Sequence, residues 1–297
     1  MKLFFFVLQQ TTKISLVLLL LIITSQFIGQ ARELDPMIYV SEARPTAGES
    51  VSEIRLLDPT VQNEIRLLRG SGLGIVTAQS LQNIVFVRHL DGALYTGILR
   101  LQQGQLQTVD EGSIYAPQLS PDGQWIAHKR ANQQVYVMAV DGAHLRALNL
   151  ACIDTDWAAD SQSIACLRSK RNASQSEIVV LDLQSGAQRM LYQSNHHTTG
   201  FDWSPSGTQI VFTTADKRAF HVDLTADTLQ QLNPDIAYTP PLKWSADGRW
   251  LLFIALLPQT EVPALHIMSG DGLIQHVLPQ MGLKTYSGFD WLPFRSS

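Results

Sequence analysis

Apolar residues along this chain come in short runs separated by polar turn signals. Ile210-Val211-Phe212, Trp125-Ile126-Ala127, Ile164-Ala165 and Trp250-Leu251-Leu252 are such runs. Their length and flanks are those of strands, not of buried helices. Each follows the same signature, a large apolar residue and then a small polar turn. The fullest copy is Phe201-Asp202-Trp203-Ser204-Pro205-Ser206-Gly207-Thr208-Gln209-Ile210-Val211-Phe212, and residues 119–127, 157–165 and 244–252 repeat it. The anchors are Leu119, Trp157, Trp203, Trp244 and Trp291, spaced 38, 46, 41 and 47 residues apart. A worn copy at 77–85 puts Thr77 in the anchor place. Strand-forming units at a period of about 40 residues are the mark of propeller blades.

Within a unit, Asp-Gly or Ser-Gly suits a tight hairpin, because glycine takes positive φ and aspartate bonds the turn backbone. A second turn signal follows: Asp141-Gly142, Ser185-Gly186, Asp271-Gly272, with Ala226-Asp227 as a weaker version. Each unit therefore reads strand, turn, strand, loop, strand, turn, strand. The anchor tryptophans are expected in the packing between neighbouring units.

The Trp-Ser-Pro-Asp-Gly pattern with its apolar strand resembles the PD-type, WD-like repeat of the TolB family of β-propellers. It is also similar to the propellers attached to prolyl-oligopeptidase-type peptidases. The resemblance covers residues 37–294 and implies an exported propeller that binds other proteins. In TolB the propeller follows a separate N-terminal domain, for which there is no room here between Ala31 and the first strand.

Blade counting predicts an all-β, six-bladed ring. Residues 37–70 supply three strands that lack a first strand, and residues 286–294 are a first strand with nothing after it. The two complete each other, which closes the ring without free sheet edges. The other blades are expected at 72–110, 113–150, 152–193, 199–233 and 238–280.

Residues 1–31 differ from the rest. They hold Lys2 and Lys13 with no acid, then the apolar run 14–23, then Gly29-Gln30-Ala31. This is the pattern of a signal peptide cleaved before Arg32, with an uncleaved membrane anchor as the alternative. It points to a periplasmic or extracellular protein, touching a membrane only through 1–31 if they are retained. The two cysteines are Cys152 and Cys166. If Trp157 faces Ile164, Cys166 faces Thr155, and strand alternation puts Cys152 on the other side of the sheet. That register argues for two free buried thiols and against a bridge.

Antiparallel order within a blade places the first and third connections on one face and the long loops on the other. The long loops are the expected binding surface. They carry Arg168, Lys170, Arg171, His196, His197, Tyr238 and Tyr286. Asn172-Ala173-Ser174 fits a glycosylation acceptor only in a eukaryotic secretory route. The residues just before the anchors are Gln118, Asp156, Asp202, Lys243 and Asp290. On first strands these form a mostly acidic ring around the channel. It serves either to hold a cation or basic peptide, or to hydrogen-bond neighbouring backbone.

Charged residues are sparse at 16%, the formal charge is −4, and no Lys/Arg run suggests a phosphate-binding stripe, so nucleic acid is not an expected partner. No Gly-x-Ser-x-Gly elbow, His-Glu-x-x-His motif or cysteine cluster appears, so no catalytic residue, metal ligand or cofactor is assigned. The leading expectation is a binding or scaffolding propeller of the cell envelope with a protein or peptide partner. A glycan lyase or hydrolase with its site at the channel mouth, and an extracytoplasmic sensor, are the alternatives.

Overall fold

The computed structural model describes residues 34–292, except 44–50, 59–62, 71–72, 81–82, 91–92, 101–104, 112–113, 131, 170–174, 257–262, 273–274 and 279–284. Six four-stranded antiparallel sheets account for it. The first combines β1 (Met37–Ala43), β2 (Val51–Asp58) and β3 (Asn63–Gly70) with β24 (Thr285–Trp291) as its innermost strand. The second is β4 (Leu73–Ser80), β5 (Asn83–Leu90), β6 (Ala93–Arg100) and β7 (Gln105–Glu111). The third is β8 (Ile114–Leu119), β9 (Trp125–Arg130), β10 (Gln134–Ala139) and β11 (Arg146–Ala151). The fourth is β12 (Asp154–Trp157), β13 (Ser163–Ser169), β14 (Ser176–Asp182) and β15 (Gln188–Ser194). The fifth is β16 (Thr198–Trp203), β17 (Gln209–Thr214), β18 (Ala219–Asp223) and β19 (Thr228–Gln231). The sixth is β20 (Tyr238–Trp244), β21 (Trp250–Leu256), β22 (Pro263–Ser269) and β23 (Gln275–Val277).

The first strands touch in the cyclic order β24, β4, β8, β12, β16, β20, which makes them the wall of a central channel. The six-bladed ring and the blade shared between both ends of the chain are as the repeats predict. Met37 pairs with Trp291 and Tyr39 with Phe289, so β24 closes the circle by an antiparallel ladder whose register shifts once, between Val40 and Ser41. The turn chemistry also holds. Gly123, Gly207 and Gly248 have φ near +70° in the first turns, and Ser161 takes the same left-handed place, at φ 57°, where glycine is missing; Asp227, at φ 53°, does so in a second turn. At Gly142 a Cβ would lie 2.7 Å from the Val109 carbonyl oxygen of the preceding blade, so this turn also needs glycine for space.

Two expectations are corrected. In the worn second blade the anchor is Ala78, not Thr77. Ala78 pairs with Ile84 as Trp157 pairs with Ile164 and Trp203 with Ile210. The first hairpin of this blade is one residue shorter than the others, which shifts the alignment by one.

The second correction is a disulfide between Cys152 and Cys166, with Cα atoms 5.5 Å apart. The register that argued against it is present, since Trp157 faces Ile164 and Cys166 faces Thr155. But the ladder stops at Asp154. Cys152 lies two residues before it and donates its N–H to the Gln133 carbonyl of the third blade. Strand alternation no longer governs its side chain there, and both sulfurs lie in an apolar cluster with Val135, Leu150, Val179 and Leu181.

Candidate functional site

The channel is built by strand alternation. Along β12, Thr155 and Trp157 face the third blade, and Asp154 and Asp156 face the fifth. Trp157 packs against Ala127 and Val137 of the third blade, and its indole N–H donates to the Gln118 carbonyl at 3.2 Å. On the opposite side, Asp154 accepts the Phe201 N–H at 3.2 Å, and Asp156 accepts the Trp203 N–H at 2.7 Å. The same relation recurs at the next seam, where Asp202 accepts the Trp244 N–H at 2.7 Å. Across the seam from the first to the second blade, Asp290 accepts the Ala78 N–H at 3.1 Å and the Thr77 hydroxyl at 2.8 Å.

Where the ring position is not an aspartate, the bond is made differently. Gln118 and Lys243 offer no carboxylate to the next strand. At these two seams the tryptophan indole of the following blade donates to their backbone carbonyl instead, Trp157 to Gln118 and Trp291 to Lys243. Each of these five seams is therefore tied by a carboxylate to a backbone N–H or by an indole to a backbone carbonyl. Backbone bonding, one of the two roles expected of the ring, accounts for one contact of every aspartate in it.

The electrostatics leave a second role open. Lys243 Nζ lies 2.7 Å from Asp202 Oδ1. Burial works against the charge on Lys243, but Asp202, Asp156 and Asp290 outweigh it and hold its pKa above the usual lysine value. Burial pushes the Asp290 carboxyl up to about 6. It also raises Asp202, with Lys243 opposing the rise. Asp156 is pushed well above the carboxylate range by burial first and then by Asp202. Three carboxylates against one ammonium leave the ring net negative when all are ionised.

The ring floors a cavity of about 230 Å³. Trp157, Trp203, Trp244 and Trp291 border it, the first and the last two largely buried in the blade-to-blade packing, and its rim is made by first-turn residues, among them Pro121, Ala159, Pro205 and Ala246. The cavity thus opens on the face of the short turns, not on that of the long loops. Exposed aspartates occupy the turns of the same face, Asp122, Asp160 and Asp247 in first turns and Asp141, Asp227 and Asp271 in the turns between the outer strands. Several accept turn N–H groups, as Asp122 does from Gln124 and Asp141 from Ala143, which explains their position and leaves their charge. Arg249 on this face is taken up by Asp247.

The residues expected on the loop face are dispersed. Arg168 pairs across the ladder with Glu177 at 2.8 Å. Lys170 and Arg171 lie outside the described residues. His196 stacks on Phe220 with ring centroids 4.5 Å apart, while His197 is exposed beside it. Tyr238 is 1% exposed and packs on Phe253, a core position rather than a loop anchor. Tyr286 pairs with Ser41 in the closing ladder, and its side chain is outside the described residues. The cations on this face are largely matched, with Arg130 bound to Asp110 and Arg218 to Asp216. Sequence reasoning missed the cavity rim. Its residues are small and lie in turns that looked purely structural, and only the knowledge of which end of each first strand the ring residue occupies would have found them.

Among the described residues no three His, Cys, Asp or Glu side chains are arranged to hold a metal ion. A family profile described as the TolB beta propeller domain matches residues 35–292. Among solved structures, TolB from Acinetobacter baumannii superposes with a TM-score of 0.75 at 17% identity, covering 87% of this chain and 67% of that one. A chain of the nidogen/laminin complex gives 0.65 at 12% identity, with 86% and 97% covered. An oligogalacturonate lyase in complex with manganese gives 0.56 at 13%, with 78% and 74% covered. At these identities the likeness is one of fold alone. No curated protein matches the sequence significantly. The profile spans nearly all of the described ring, and the chain belongs to the TolB β-propeller family.

Proposed function

We propose that this protein is an extracytoplasmic binding propeller that docks a protein or peptide partner over the turn face, with a basic segment of the partner entering the channel mouth. The observation that carries the reading is the cavity. It is the mouth of the channel, and its floor holds Asp156, Asp202 and Asp290 against the single cation Lys243. Such a floor attracts a cationic segment. The Cys152–Cys166 disulfide supports an oxidising compartment, in keeping with the signal-like residues 1–31. The absence of any assigned nucleophile, acid–base pair or metal motif in the sequence favours binding over a glycan-cleaving role.

The test is affinity capture of the protein from an envelope extract of its own source, followed by binding of the captured partner to variants. Ala159→Arg and Ala246→Arg place bulk and positive charge on the rim without touching the blade-to-blade bonds. They should abolish binding, and His197→Ala on the opposite face should not. If the rim variants bind normally and the loop-face variant does not, the partner uses the other face.

A further inference from the structure

Asp156 differs from the other two aspartates of the ring in what satisfies it. Asp202 has Lys243 on one oxygen and the Trp244 N–H on the other. Asp290 accepts the Thr77 hydroxyl and the Ala78 N–H on one oxygen and the Trp291 N–H on the other. Asp156 accepts one backbone N–H on each oxygen, from Trp157 at 2.9 Å and Trp203 at 2.7 Å. Among the described residues it has no cation within ion-pair distance. Each of its oxygens keeps a lone pair, and the residue lines the cavity.

The groups facing it narrow the chemistry. Asp154 lies on its own strand, Asp202 on β16, Lys243 on β20 and Asp290 on β24, with the uncharged Gln118 and Thr77 on β8 and β4. This sign of charge rejects an anion. A calcium ion needs six or more oxygen ligands, and among the described residues no three carboxylates are grouped to hold one. An ammonium needs only acceptors for its three N–H bonds, which the free lone pairs of Asp156 offer. The cavity, about 230 Å³, is below the roughly 300 Å³ at which pockets for drug-sized molecules begin. It suits one side chain, not an oligosaccharide.

We propose that the cavity seats an organic ammonium group, the ε-ammonium of a lysine presented by the partner, against the Asp156 carboxylate between Trp157 and Trp203. This rests on the cavity being the binding site. A proton and the ammonium compete for the same carboxylate, and burial raises the affinity of Asp156 for the proton. Binding of lysine therefore releases a proton and strengthens as pH rises.

The probe is a capped Gly-Lys-Gly peptide titrated into the whole protein and followed by calorimetry. The expected result is binding that weakens as pH falls and Asp156 takes up its proton, and no binding of the same peptide with norleucine in place of lysine. Asp156→Asn keeps an acceptor for one of the two N–H groups. It should lower affinity by about thirtyfold or more and remove most of the pH dependence, with a thermal melt to confirm the fold. The proposal is overturned if the norleucine peptide binds equally, if Asp156→Asn binds as the wild type does, or if calcium ions or free spermidine displace the lysine peptide more strongly than excess peptide does. The wild-type pH profile stands as a test even if the variant fails to fold. Partner binding that is lost in the rim variants but kept in Asp156→Asn would remove the ammonium and leave the binding role. Partner binding indifferent to the rim would remove the role itself.

Discussion

Asp202 bridges two blades through both of its oxygens, one on the Trp244 N–H and one on Lys243 Nζ, each at 2.7 Å. Its side chain is 7% exposed and that of Lys243 18%, so neither charge is well hydrated. Removing the carboxylate strands an ammonium and an amide together. Asp202→Ala should cost about 3–5 kcal/mol in urea unfolding, the range for breaking a buried pair on one side. The double variant Asp202→Asn with Lys243→Met should recover part of that loss. A loss below about 1 kcal/mol, the size expected at an exposed site, would mean the pair is open to solvent.

Asp290 carries the sign of the pH dependence. Its folded pKa, about 6, is above the ordinary aspartate value of 3.8, so the folded state holds the proton more tightly than the unfolded chain does. Its contribution to stability is complete below pH 3.8 and is lost as pH rises through about 6. Chemical denaturation across that window should show stability falling by about 1–3 kcal/mol from this group. Asp290→Asn should flatten the slope. Asp216, whose bonds to Arg218 and Thr214 hold it at about 2, pulls the other way at still lower pH. Stability should therefore peak in mildly acidic solution.

The two modes of blade-to-blade bonding can be told apart with phenylalanine. Trp291→Phe loses the 2.8 Å bond to the Lys243 carbonyl and should cost about 1–2 kcal/mol beyond the change in packing. The Trp203 indole N–H has no acceptor among the described residues, and its seam is tied by Asp156 instead. Trp203→Phe should cost distinctly less. Equal losses in denaturant melts would contradict the division of labour between carboxylate and indole.

The disulfide closes a loop of 14 residues across the shortest first strand in the ring. Replacing both cysteines by serine should lower stability by about 3 kcal/mol, from the loop-closure entropy returned to the unfolded chain. Intact-mass analysis after alkylation without reductant should find no free thiol in the exported protein.

Much of the ring was legible because repetition is a strong signal. Five anchors, three of them followed by a Gly-containing turn, marked the blades, and the unmatched ends at Met37 and Trp291 implied one another. Legibility failed where a local rule was carried past its domain. Thr77 was taken for an anchor because the shortened hairpin removed one residue from the alignment. Cys152 was given the alternation of a strand that ends before it. At the site, Asp156, Asp202, Lys243 and Asp290 were visible as positions preceding anchors. Their bonds to the next blade depend on inter-blade distances that no linear pattern contains. Tyr238 looked like a loop aromatic, yet it belongs to the core because it opens β20 rather than ending the preceding connection.

The position of β24 has a consequence for how the protein is made. Asp290 reaches forward to the second blade and Trp291 reaches back to the sixth, so one short strand supplies the bonds at both of the last seams. It is synthesised after every other strand of the ring. While the chain is being made from its N-terminus the ring has no way to shut, because β1 lacks its inner neighbour until the last strand arrives. Closure is thereby timed to the arrival of the final segment.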